Sequence, residues 1–282
     1  MTAVNLAPTP DGVRANADFL FESVVCDLHL TALSVGALAM LLQARAAAGA
    51  SWTLKGWRPL LDDDRHAMRL TLRFHADMGM PAAMAARIAD LYARLAEAKT
   101  TSAEFAKLSS KHATLDSVAL ARAAEGWRRL CRETVGALEA IAPAAKQRLP
   151  SPYDEDCRTL VAFLVEAAEG KLRRVGAFGE ITLPQLRQRR RSPRAAVRRS
   201  CALLLPDGRV SAEIEDASRN GLGILCRRPL HEGQQMTVEL ADGRRLSAVV
   251  ARRNGDQTGL RLLTPLAADD PLFRRDVVAG AR

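Results

Sequence analysis

Aromatic side chains are scarce, at 4% of the 282 residues, while Ala and Leu are plentiful. That composition argues against a core of stacked rings and for helices packed through Leu, Ala and Met. The five cysteines (Cys26, Cys131, Cys157, Cys201, Cys226) are odd in number, widely spread and never arranged as C-x-x-C. A disulfide framework or a thiolate zinc site is not expected; reduced core thiols of a cytoplasmic protein are. Long apolar runs are also missing. The longest uncharged stretch, residues 30–44, is short for a membrane span and is interrupted by Thr31, Ser34 and Gln43, so it reads as a buried helix. Asp11, Arg14, Asp18 and Glu22 stand where a signal peptide would need a basic start and an apolar run. The expectation is a cytoplasmic protein with no membrane span.

Catalytic signatures are lacking too. No G-x-S-x-G, Walker A, G-x-G-x-x-G or H-E-x-x-H pattern occurs, so no enzyme and no cofactor are expected. His29, His66, His75 and His112 lie in the same half as Asp62, Asp63, Asp64 and Asp77. His66 and His75 are nine residues apart, a spacing that does not set two ligands on one helix face, and no metal site is expected.

Charge divides the chain unevenly. Residues 1–180 hold 22 Lys and Arg against 21 Asp and Glu, whereas residues 181–282 hold 19 cations against 11 acids. All 19 of those cations are Arg, the side chain suited to planar, two-point contact with phosphate and to stacking on bases. An anionic partner follows for the second part: a nucleotide, a nucleic acid or a membrane surface.

Periodicity divides the chain at the same place, near residue 180. Helical spacing is expected over residues 16–48, then from Asp62 to a stop near Gly79, and from Pro81 through Met84, Ile88, Leu91 and Leu95. A shorter helix is expected after Ser102 and a long one over residues 116–142, stopped by Pro143, with Trp127 as a core or interface aromatic. The last helix is expected after Ser151-Pro152. Asp154, Glu155 and Asp156 fall in its first turn, Lys171, Arg173 and Arg174 in its last, and Gly176 and Gly179 close it. A loop with Trp52 and Trp57 occupies residues 49–59. Beyond residue 180 the apolar period is two. Strands are expected at 197–205, 209–216, 221–226, 235–240, 245–252 and 258–262. Pro206-Asp207-Gly208, Glu232-Gly233, Asp242-Gly243 and Asn254-Gly255 are turn signals of hairpin grade. Six short antiparallel strands make a small barrel or sandwich.

Two local features stand in this β region. One is the cationic run from Arg187 to Arg194, which includes Pro193; the other is Asp216-Ala217-Ser218-Arg219-Asn220-Gly221, at the turn between the second and third strands. Taken singly, a cationic run reads as a solvated linker or anionic patch, and D-x-S-x-x-G as a capped turn. Together, in this order and on this strand pattern, they resemble the R-x-x-x-R and [D/N]-x-S-x-x-G signatures of the PilZ family over residues 187–265. Arg187/Arg191, Arg190/Arg194 and Arg194/Arg198 all satisfy the first spacing. The family's x-x-Pro-Arg before the first strand selects Arg190 and Arg194. Arg189 is a helper, since a long basic residue there goes with a stacked ligand pair. One departure is Gly259-Leu260-Arg261-Leu262, where the family often ends in an aromatic residue.

The helical period ahead of residue 180, which resembles no known family, and the PilZ resemblance beyond it together lead to the expectation of an α+β multidomain chain. An N-terminal all-α helical bundle occupies 1–178 and an Arg-rich arm 179–189. A six-stranded antiparallel PilZ-type β-barrel follows at 190–270, with a tail at 271–282. The resemblance implies a ligand, cyclic di-GMP, held by Arg189, Arg190, Arg194, Asp216, Ser218 and Gly221. The chemistry agrees: an Arg fork suits a phosphate or the O6/N7 edge of guanine. Asp216 and Ser218 accept from the guanine N–H donors, and Gly221 allows an approach that a side chain would block. The expected role is a receptor that relays the messenger, for motility, exopolysaccharide or biofilm control, to the helical half or to a protein partner. Self-association through the helical half is the other use considered for it. Rival readings are a nucleic-acid module, which is not favoured, and a ligand-free PilZ-like assembly domain.

Overall fold

The computed structural model describes residues 10–48, 68, 71–110, 117–176, 179–188, 193–267 and 270–273. The loop with Trp52 and Trp57 and the start of the expected helix from Asp62 fall outside the described residues, as do His66 and His112; of the rest of that helix, Met68, Thr71 and Leu72 are helical, and residues 73–79 form turns up to Gly79. Among the described residues, four long helices precede six strands: α1 (Pro10–Ala48), α2 (Ala82–Ser110), α3 (Ser117–Arg148) and α4 (Pro152–Ala168). The chain divides into two compact units, Val24–Arg191 and Met1–Ser23 with Ser192–Arg282.

A helix that is apolar on every side has to be buried, and α1 is such a helix. By length and composition its stretch Ala17–Ala47 would also suit a membrane crossing, yet 78% of its most apolar window is covered by the protein itself. Leu28, Val35, Leu38 and Leu42 have no exposed surface. The helical unit is built around this helix. Thr31 and the Tyr92 hydroxyl of α2 lie at 2.7 Å, and the Cys131 thiol of α3 points at the Val35 carbonyl. Gly36 lets the Phe163 ring of α4 come so close that a Cβ there would lie 2.3 Å from a ring carbon.

Helix α1 begins at Pro10, ahead of the expected residue 16, and one boundary in each of α2, α3 and α4 also differs from expectation. No separate helix begins after Ser102, because α2 runs unbroken through Thr100-Thr101-Ser102. Each of those hydroxyls donates to the carbonyl four residues back, so side chains that favour turns are absorbed by the helix. Helix α3 passes Pro143 and ends at Arg148. Ile141 and Ala145, buried on either side of the proline, continue the apolar face and outweigh one missing backbone bond. Helix α4 stops at Ala168, earlier than expected, because Gly170 takes a left-handed φ of 78°. The Lys171 N–H then donates back to the Glu166 carbonyl. Arg173 and Arg174 therefore lie beyond the helix, and both pair with Glu166.

The β region is a closed barrel in the order β1-β2-β3-β6-β5-β4. Its strands are β1 (Ala195–Leu205), β2 (Gly208–Ser218), β3 (Gly221–Leu225), β4 (Gln235–Leu240), β5 (Arg245–Asn254) and β6 (Gln257–Leu262). The six expected strands are all present. One expected hairpin is not: β3 pairs with β6 and not with β4, so Glu232-Gly233 turns a crossover. Buried Cys226 and Leu230 hold that crossover to the core, and the Gly233 N–H donates to Val250 of β5, which delivers β4 beside β5. Leu203, Ile214, Ala217, Ile224, Val238 and Ala248 fill the interior with no exposed surface. Leu262, at the place of the family's aromatic, joins a core cluster whose two rings are Phe19 and Phe273. Those rings stack with centroids 4.5 Å apart.

All five cysteines are buried and none is in a disulfide. Burial pushes the Cys131 thiol up to about 12 and the Cys157 and Cys201 thiols up to about 11. Since the thiolate is the reactive form, the native chain is expected to leave DTNB colourless at pH 8, with all five thiols titrating in guanidinium. Rapid release from the native chain would contradict this packing.

Candidate ligand-binding site

Side chains along a strand alternate between faces, so residues two apart share one. Three bulges break that rule at one level of the barrel. On β2, Glu215 is extra between the pairs Ile214↔Ile224 and Asp216↔Gly223. Ile214 faces the core, and the bulge turns Asp216 out. On β5, Ala251 is extra between Val250↔Leu260 and Arg252↔Gly259, which brings Arg252 to the exterior although Val250 is interior. On β1 the register shifts between Ala196 and Arg199, where Arg198 takes a φ of 50°. Bulges re-aim side chains in this way beside functional sites.

The outcome is one cross-strand row: Asp216 opposite Gly223, Gly223 opposite Gly259, and Gly259 opposite Arg252. A cleft of about 220 Å³ opens along it, lined among others by Arg194, Asp216, Gly223, Arg252, Asn254 and Gly259. Arg194, just ahead of β1, donates from one guanidinium nitrogen to both Asp216 oxygens at 2.9 and 3.1 Å. The structure thus brings together a member of each motif. Their side chains are 31% and 33% exposed. An ion pair of that kind contributes about 0–1 kcal/mol, so either group can exchange its partner at little cost.

Ser218 and Gly221 act within the turn. Ser218 is buried and its hydroxyl donates to the Gly221 carbonyl at 3.2 Å, closing the β2–β3 hairpin. The hairpin tip is tied to the chain after β6: Leu262 N–H donates to Asn220 and Leu266 N–H to Arg219. A Cβ on Gly221 would lie 2.5 Å from the Leu260 carbonyl oxygen, so this glycine meets the backbone of β6. Arg189 and Arg190 lie outside the described residues.

The root of the arm is described. The Asp156 carboxylate of α4, 1% exposed, accepts the backbone N–H groups of Arg187 at 2.7 Å and Gln188 at 2.8 Å. Gln188 also donates to the Tyr153 hydroxyl, and Arg187 pairs with Glu155 at 2.7 Å. Asp156, expected as a first-turn charge, is instead a buried clamp on the segment that leads to the arginines. Sequence reasoning also missed Gly223, Gly259 and Arg252. Glycine inside a strand is the signal that was available, since it marks a place where something approaches the backbone closely.

No curated protein matches the chain. The residues ahead of 188 match no family model. Residues 188–279, which contain all six strands and the D-x-S-x-x-G turn, match the family model described as PilZ domain, and this part of the chain is a PilZ domain.

Proposed function

We propose that the chain is a cytoplasmic cyclic di-GMP receptor, not an enzyme, whose barrel captures the messenger and whose arm passes the event to the helical unit. The PilZ family is known for binding this ligand. The observation that carries the reading is the contact between Arg194 and Asp216, one residue from each motif, at the mouth of one cleft. In the complex each exchanges its partner. Arg194 turns to a phosphate, and Asp216 accepts from the guanine N1 and N2 donors. Arg190, with Arg189 beside it, closes over the ligand from the arm, while Ser218 and Gly221 keep the hairpin in shape. A whole small molecule fills about 300–1,000 Å³, so the cleft of about 220 Å³ takes one base and leaves the rest to the arm.

The clamp on residues 187 and 188 supports the relay. Ligand capture fixes the arm at Arg194, and its root is held by Asp156 in the core of the helical unit. A change in the arm's path then loads helix α4. The output partner binds the helical unit, and motility, exopolysaccharide synthesis and biofilm control are the processes such receptors serve.

A competition experiment separates this from nucleic-acid binding. Fluorescent cyclic di-GMP on the full chain should be displaced by unlabelled cyclic di-GMP and not by duplex DNA at physiological salt. Tight DNA binding that falls steeply with salt and ignores Asp216→Ala would overturn the reading.

A further inference from the structure

Arg252 is the one long cation that a bulge has placed in the row of Asp216. It is exposed and forms no ion pair among the described residues. Between the two residues lie only Gly223 and Gly259, directly paired across β3 and β6. Neither glycine has a left-handed φ among the described residues, so neither is required by backbone conformation. What they lack is a side chain. A Cβ on Gly223 would lie 2.7 Å from an Asp216 carboxylate oxygen, and one on Gly259 would lie 3.0 Å from the Arg252 stem. The carboxylate overhangs one glycine and the arginine overhangs the other. They reach toward each other over a strip of sheet that has no side chains of its own, and a base enters as the two draw apart.

Resting on the cyclic di-GMP reading, we infer that Arg252 is a ligand-binding and specificity residue, which takes the O6/N7 edge of the guanine that Asp216 holds by its N1/N2 edge, with the base lying on Gly223 and Gly259. Three inter-strand steps separate the backbones of Asp216 and Arg252, roughly 14 Å. That span holds a purine with a short acidic side chain at one end and a long basic one at the other. The two edges of guanine differ in sign. N1–H and N2–H₂ donate, and O6 and N7 accept, so an Asp and an Arg facing each other match guanine in one orientation. Adenine offers a donor at its 6-position and leaves the Arg fork half used. The arrangement therefore reads the base itself, where a phosphate contact would hold any cyclic dinucleotide. Arg253, the next residue, is turned to its own loop and donates to the Gly255 carbonyl at 2.9 Å, which makes it a matched control.

The full chain is titrated with cyclic di-GMP, cyclic di-AMP and the 7-deazaguanine analogue of cyclic di-GMP, which lacks N7. The wild-type chain should prefer cyclic di-GMP over both others by about tenfold or more, the worth of one two-point base contact. Arg252→Ala should bind cyclic di-GMP about tenfold more weakly and no longer distinguish it from the 7-deaza analogue, and Arg253→Ala should match wild type. Gly223→Ala, whose methyl group would displace the Asp216 carboxylate and leave the backbone pairing intact, should also weaken binding. Hydrogen exchange of β3 and β6 unchanged from wild type shows that these variants are folded. If wild type binds cyclic di-GMP and Arg252→Ala binds it equally well, the inference fails and the receptor reading stands. Weaker binding with the 7-deaza discrimination retained would place Arg252 on a phosphate and overturn the base assignment. If wild type binds none of the three, both readings fall.

Discussion

The Gly221→Ala chain is expected to lose about 3 kcal/mol of barrel stability, the upper end of what overpacking costs, whether or not a nucleotide is present. Gly221 has no left-handed φ, so the cost does not come from backbone strain. It comes from space. The added Cβ would lie 2.5 Å from the Leu260 carbonyl oxygen, and that oxygen belongs to a strand, not to a side chain that can rotate away. Relief requires β3 and β6 to part along the pairs Gly221↔Arg261 and Leu222↔Leu260. The same shift would disturb the Ser218 hydroxyl that donates to the Gly221 carbonyl. Hydrogen–deuterium exchange read on β3 and β6 peptides of the full chain measures the loss. A variant with native protection but no cyclic di-GMP binding would show that Gly221 serves the ligand directly.

Acidification should cost the helical unit about 3 kcal/mol as pH falls from 6.5 to 4, at 1.36 kcal/mol per pKa unit. His29 is 4% exposed on α1, and burial lowers its pKa from 6.5 to about 4, although the Asp156 carboxylate pulls it partly back. Its ring faces Tyr153 of α4 at a centroid distance of 6.2 Å. Between the two pKa values the unfolded chain carries the proton and the folded chain does not, so stability falls as pH falls. Above pH 6.5 both states are neutral at this residue and nothing is lost. Urea midpoints followed by far-ultraviolet circular dichroism at pH 7.5 and 4.5 report the difference. His29→Gln should flatten the dependence whatever its own stability. An equal pH slope in both chains would assign acid lability to other groups.

The parts of this molecule that were legible in the sequence are those governed by local chemistry. The strands of the barrel follow from period-two alternation, and Asp242-Gly243 and Asn254-Gly255 do turn hairpins, with Gly243 and Gly255 at positive φ. Glu232-Gly233 carries the same turn chemistry and yet opens a crossover, because turn residues bend a chain without choosing which strands pair. Helix ends were misjudged where tertiary packing or an i−4 hydroxyl bond overrode a breaker, as at Pro143 and Ser102. Arg194 and Asp216 could be read from motif spacing, and the structure joins them. Arg252 could not. Counted by twos from Val250 it belongs inside the barrel, and only the bulge at Ala251 turns it out. Asp156 was legible as a helix charge, but a carboxylate that clamps backbone 31 and 32 residues away leaves no local pattern.

The most direct test of the receptor reading is a calorimetric titration of the full chain with cyclic di-GMP, repeated with Arg190→Ala, Arg194→Ala and Asp216→Ala. Saturating heat is expected with a Kd of tens of micromolar or below, weakened about tenfold or more in each variant, as for the loss of a charge-assisted contact of about 1.4–3 kcal/mol. No heat at such concentrations, or the same affinity in all four chains, would contradict it.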